Sequence, residues 1–145
     1  MSPRAFSAQV VSTRLTLMRE LLEDLDAVGP VDADRLLRDR LTRRAVERVL
    51  TQLIDLAVDI NIHVATSLGG AMVTEYRESF DEAARAGLVS TTLADGLKAS
   101  VGLRDVLIHE YVKTDLALVA TAVPLARVEY GEYVRDVARW LRDRA

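Results

Sequence analysis

Apolar residues Val11, Leu15, Met18, Leu21, Leu22 and Leu25 recur at intervals of three and four, with polar residues filling the gaps. That period lays one stripe along a helix from about Ser7 to Ala27. Gly29-Pro30 ends it, because proline has no amide hydrogen to continue the ladder. Asp32 and Asp34 then place negative charge where a helix start is electropositive. The stripe resumes through Leu36, Leu37, Leu41, Val46, Val49, Leu50, Leu53, Ala57, Ile60 and Val64, and stops at Gly69-Gly70. The pattern predicts one long second helix.

A shorter helix is predicted from Thr74 to Ala86, with Phe80 and Ala84 inward and Gly87 where a C-cap glycine belongs. Ser90 is placed to cap the next, which turns Leu93, Ala94 and Leu97 to the core before Gly102 interrupts it. Asp115 is placed to cap a last helix through Leu116, Val119, Val123, Tyr130, Val134, Val137 and Leu141. Pro124 within it predicts a kink rather than a stop. The expected fold is all-α, an antiparallel bundle of about five helices forming a single domain over residues 1–145, without repeats or linkers.

Composition narrows the chemistry. Half of the 145 residues are apolar, enough for one core, while seven glycines, three prolines and 5% aromatic residues leave little turn chemistry for a sheet. The absence of cysteine removes disulfides, zinc ribbons, iron-sulfur clusters and thiol nucleophiles. No long apolar stretch precedes a small-residue cleavage site in Met1 to Ser7, and no segment is expected to approach the length of a membrane span. A cytoplasmic protein without a membrane partner is the expectation. A formal net charge of −3 argues against a general nucleic-acid binder, so any RNA contact must be local. Arg35, Arg38, Arg40, Arg43, Arg44 and Arg48 crowd one segment, and a solvated helix face among Asp and Glu neighbours is the preferred reading of them.

The segment Arg104-Asp105-Val106-Leu107-Ile108-His109-Glu110-Tyr111 gathers a fixed cation, a carboxylate, an imidazole and a phenol within little more than two helical turns. Arginine clamps phosphate oxygens and histidine moves protons near neutral pH, so the cluster points to phosphate-ester chemistry. In a cleft, neutral His109 takes the proton of an RNA 2′-hydroxyl and Arg104 holds the phosphate, with no metal or other cofactor required. Asp105 is expected to orient His109 or raise its proton affinity, and Tyr111 to donate to a phosphate oxygen. The helical repeat sets Arg104 and His109 about 140° apart, so one straight helix does not aim both at one phosphate. Either Gly102 leaves Arg104 at a flexible helix start, or a second chain brings its own copy to a shared cleft; the second is preferred, with the first helping.

Gly102 to Tyr111 resembles the R-x4-H-x-Y signature of the HepT-like toxins, a branch of the HEPN superfamily. Arg44-Ala45-Val46-Glu47-Arg48-Val49-Leu50, Ile54-Asp55-Leu56-Ala57 and Tyr76-Arg77-Glu78-Ser79-Phe80 follow in the order and spacing such proteins show, so the likeness runs from roughly Leu36 to Leu141. The resemblance implies a HEPN-like helical bundle, homodimeric around the motif, and a metal-independent endoribonuclease toxin of a type VII-like toxin-antitoxin pair. Arg104 and His109 match the catalytic pair, with Asp105 and Tyr111 supporting. Tyr111 matches the tyrosine that a minimal nucleotidyltransferase antitoxin, MntA-like, adenylylates. Relatives often carry asparagine after the arginine, whereas Asp105 here would compete with RNA phosphate for Arg104. The alternative is a non-catalytic HEPN module that binds a nucleotide or partner, and a third reading has the cluster only stabilise a dimer.

Other candidates have plainer readings. His63 has apolar neighbours at helical spacing and reads as a packed histidine. Asp55 and Asp59 lie one turn apart without a third ligand, and read as polar positions at a dimer surface or cleft rim rather than a metal site. Tyr130, Tyr133 and Trp140 share a helix face and read as core, and the arginines at positions 135, 139, 142 and 144 as end-of-helix charge.

Overall fold

The computed structural model describes residues 5–69, 72–109 and 115–144, and among them the chain forms six α-helices. They are α1 (Ala8–Val28), α2 (Ala33–Arg38), α3 (Arg40–Ser67), α4 (Tyr76–Arg85), α5 (Thr91–His109) and α6 (Leu116–Arg144). The all-α class holds, with one element more than the stripe suggests. The extra boundary lies at Asp39, whose backbone leaves helical values at φ −108° and ψ 88°. Its carboxylate accepts the Thr42 amide at 3.1 Å and the Thr42 hydroxyl at 2.6 Å. An aspartate that can satisfy the next helix's amides from its own side chain competes with backbone continuation, and here the cap wins. Leu37 and Leu41, read as stripe positions, flank the break and stand 69% and 76% exposed.

Two expected caps are present: Ser90 accepts the Leu93 amide at 3.0 Å and Asp115 that of Ala117 at 3.0 Å. Ser7, where the first helix was expected to begin, caps α1 by accepting the Val10 amide at 3.2 Å. Gly87 follows α4 with φ 81°, a conformation that side-chain-bearing residues rarely adopt. Gly102, by contrast, does not interrupt its helix: α5 runs through it to His109. The Arg77 guanidinium of α4 lies 3.3 Å from where a Cβ on Gly102 would stand, so packing against α4 accompanies a residue of low helix propensity. Pro124 likewise sits inside α6 without ending it.

The central element is α3, which touches each of the other five helices. It includes an 18-residue stretch long and apolar enough to cross a membrane by length and composition, against the expectation from the sequence. Yet 67% of that stretch is buried inside the bundle, which is the pattern of a core helix. Leu50, Leu53, Ile54, Ala57, Ile60 and Val64 pack there against Met18 of α1, Phe80 of α4, Leu97 of α5 and Tyr133 of α6 in one apolar cluster. Inside it the Asn61 side chain donates to Ser79 Oγ at 3.2 Å and accepts the Tyr133 hydroxyl at 2.7 Å. The Ser79 hydroxyl in turn donates to the Tyr76 carbonyl at 2.7 Å. A hydrogen-bonded polar core residue thus ties α6 and α3 to the first turn of α4.

Candidate active site

The polar end of α5 is held by α3 and α4. Leu107, 8% exposed, turns its side of α5 into the core, while Asp105, Ile108 and His109 face outward. Arg104 lies between these faces with its side chain 21% exposed. Its Nε donates to Asp55 Oδ1 of α3 at 3.0 Å, and its Nη2 donates to the Tyr76 hydroxyl of α4 at 3.3 Å. The Tyr76 hydroxyl closes the triangle by donating to the same Asp55 oxygen at 3.1 Å. The guanidinium carbon also stands 4.4 Å from the centre of the Tyr76 ring, a cation-π contact. Partial burial, the Asp55 charge and the hydrogen bond to it raise the pKa of the Tyr76 phenol, outweighing Arg104 beside it, so Tyr76 stays a neutral donor.

Asp105 places Oδ1 3.6 Å from Arg104 Nη1, an ion pair longer than a hydrogen bond. No hydrogen bond or ion pair between Asp105 and His109 is found among the described residues, so its carboxylate is engaged with the arginine instead. His109 is the last residue of α5 and is exposed. Tyr111 lies outside the described residues. Arg104 and His109 therefore belong to one uninterrupted helix, and the arrangement with Arg104 at a flexible helix start is not the one found.

Asp55 and Tyr76 are the partners that spacing alone did not single out, since they lie 49 and 28 positions from Arg104. Both stood in segments that carry the family likeness, which was the available signal. Asp59, one turn on, pairs with Arg14 of α1 at 3.6 Å. Asp55 also lines a groove of about 400 Å³ between α1 and α3, together with Glu20, Asp24, Arg48 and Gln52. Among the described residues no group of three or more histidines or carboxylates is placed to hold a metal ion.

The remaining candidates fall elsewhere. His63 is 8% exposed and accepts the Ser7 amide at Nε2, at 3.0 Å, with the Phe6 ring 5.6 Å away. Tyr130 and Tyr133 are buried in the core, and Trp140 meets Phe6 edge-on under the Arg144 guanidinium. In the arginine-rich segment Arg38 pairs with Asp34 on the exposed surface, whereas Arg43 and Glu47 pair half-buried. An apolar cleft of about 220 Å³ opens on a neighbouring face of α5, between Leu103, Leu118, Leu125 and Tyr130, with Glu129 its one charged lining residue.

A family model described as ribonuclease HepT-like matches residues 18–135. The tRNA nuclease HepT of Aphanizomenon flos-aquae is 31% identical over 133 residues, covering 91% of this chain and 90% of that protein. Among solved structures, the Shewanella oneidensis HEPN toxin, described as tri-AMPylated and in complex with MNT antitoxin, superposes with a TM-score of 0.80 at 20% identity. That match covers 90% of this chain and 97% of the toxin. YutE of Bacillus subtilis, described as a cytosolic protein of unknown function, superposes with a TM-score of 0.83 at 15% identity over 97% of this chain and 95% of its own.

Proposed function

We infer the activity from one premise: this chain belongs to the HepT-like ribonuclease family. On that premise it is a toxin that cuts RNA at a site built on Arg104 and His109. The observation that carries this reading is a guanidinium fixed at the surface of α5 less than two turns before an exposed imidazole. Neutral His109 takes the proton of a 2′-hydroxyl, and that oxygen forms a bond to phosphorus. The bond to the 5′-oxygen breaks, and the leaving oxygen takes a proton from a second, protonated imidazole, which becomes neutral as His109 becomes charged. Arg104 meets the charge that grows on the non-bridging oxygens. The ends are a 2′,3′-cyclic phosphate and a 5′-hydroxyl.

The second imidazole comes from a second copy of the chain. Because α5 is continuous, its Arg104 and His109 point about 140° apart, and two copies across a twofold axis supply the missing side chains to one cleft. Ile108 within the motif and Leu118 and Leu125 on α6 are exposed apolar residues available to such a contact. Tyr111, two positions beyond His109, is the site at which a minimal nucleotidyltransferase antitoxin adds AMP, placing bulk and negative charge in the RNA path. The setting is cytoplasmic.

The test is cleavage of tRNA and mRNA by the purified chain in chelator, compared with His109→Ala. Loss of about 10²- to 10⁴-fold in rate is expected. Equal fragment patterns from both proteins remove His109 from the reaction, and cleavage that chelator abolishes removes the metal-free scheme. Co-expression with the antitoxin should add the mass of AMP to the Tyr111 peptide. One observation favours a second reading: Asp55 and Asp105 both approach Arg104, and two carboxylates compete with a phosphate. A non-catalytic module that binds a nucleotide or partner would keep its binding in His109→Ala and yield no product at any protein concentration.

A further inference from the structure

We propose that Asp55 and Tyr76 are positioning residues for RNA cleavage, holding one edge of the Arg104 guanidinium so that its other edge is presented to the phosphate. This rests on Arg104 being the phosphate-holding group. A guanidinium has two edges able to grip two oxygens at once, one formed by Nε and Nη2 and the other by Nη1 and Nη2. Here the first edge is occupied from within the protein, Nε by Asp55 and Nη2 by the Tyr76 hydroxyl. Among the described residues the second edge carries only the longer Asp105 ion pair. Tyr76 also lies against the guanidinium face, which restrains rotation out of the hydrogen-bonding plane.

The restraint is anchored in the core. Tyr76 begins α4, and its carbonyl accepts from Ser79, which receives the buried Asn61 amide. Asp55 projects from α3, the helix that all others contact. An arginine side chain has many rotamers to lose, and fixing it before substrate arrives removes that cost from the bound state. The Asp55 charge opposes phosphate binding at the same time. The expected signature is therefore on turnover, with little effect on substrate affinity.

The variants are Asp55→Ala, Asp55→Asn and Tyr76→Phe, each verified as folded by circular dichroism and assayed for kcat and KM on one RNA. Asp55→Ala should lower kcat about 10- to 100-fold with KM within about threefold of the parent. Asp55→Asn keeps an acceptor oxygen in place and should recover most of that loss. Tyr76→Phe keeps the ring and loses the hydroxyl, and should cost less than Asp55→Ala. In nitrogen NMR spectra the Arg104 Nε–H signal, assigned by its loss in Arg104→Lys, should resist solvent exchange in the parent and lose that protection in Asp55→Ala. A cleaving parent matched in kcat by folded Asp55→Ala and Tyr76→Phe overturns the inference alone, as does a change confined to KM. A parent that cuts no RNA removes the reading of Arg104 and the inference together. Should Asp55→Ala fail to fold, Tyr76→Phe and Asp55→Asn decide.

Discussion

Charge alone does not describe what Arg104 offers, because the planar fork is what Asp55 and Tyr76 engage. Arg104→Lys keeps the positive charge but has no Nε–H for Asp55 and no second tooth for a phosphate. Its cleavage rate is expected to fall at least about tenfold with the fold intact, as read by initial rates beside a melting curve. Glu129 is a different case. Burial, with the charge of Glu132 adding to it, raises its carboxyl pKa above the ordinary value. The folded value then exceeds the unfolded one, so the neutral form is favoured in the native state. The resulting penalty is absent below the unfolded pKa and grows as pH rises through the folded one. Glu129→Gln should therefore raise the melting temperature slightly at about pH 7, and the gap to the parent should close at about pH 4. An equal gap at both values would show that burial of the charge is not the cause.

Helix boundaries divide into those the sequence could announce and those it could not. Ser90 and Asp115 precede apolar periods and cap as read, and Ser7 caps α1 where its period begins. Asp39 interrupts a period in mid-stripe, where no glycine or proline marks a boundary, and its competition with the backbone is settled by the Thr42 amide and hydroxyl. Asp39→Ala should lower the midpoint of chemical denaturation, because the Thr42 amide and hydroxyl lose their cap. No change would mean that α2 and α3 merge without penalty. Gly102 misled in the opposite direction, since a weak helix former was retained inside α5 alongside Arg77 of α4. The Arg104 and His109 pair was legible because its spacing lies within one element. Asp55 and Tyr76 were not, because only tertiary packing brings α3 and α4 to that arginine.

At the scale of the molecule the core polar network matters most. Asn61 is fully buried and joins Ser79 to Tyr133. Asn61→Ala strands both hydroxyl partners in part, although Tyr133 keeps the Ala57 carbonyl at 3.1 Å. The expected cost is about 1–3 kcal/mol by denaturant titration. A variant as stable as the parent would show that these bonds contribute nothing net. The same bonds have a consequence on heating. A relay of hydrogen bonds runs from Tyr133 through Asn61 and Ser79 to the start of α4, and the Tyr76 side chain carries it on to the arginine. Since α4 is only 10 residues long, its departure would spare most of the helical content yet release the guanidinium. Warming should thus blunt the blade before it melts the handle: RNA cutting fades several degrees below the far-ultraviolet transition, and coincident curves would show that α4 leaves only with the whole bundle.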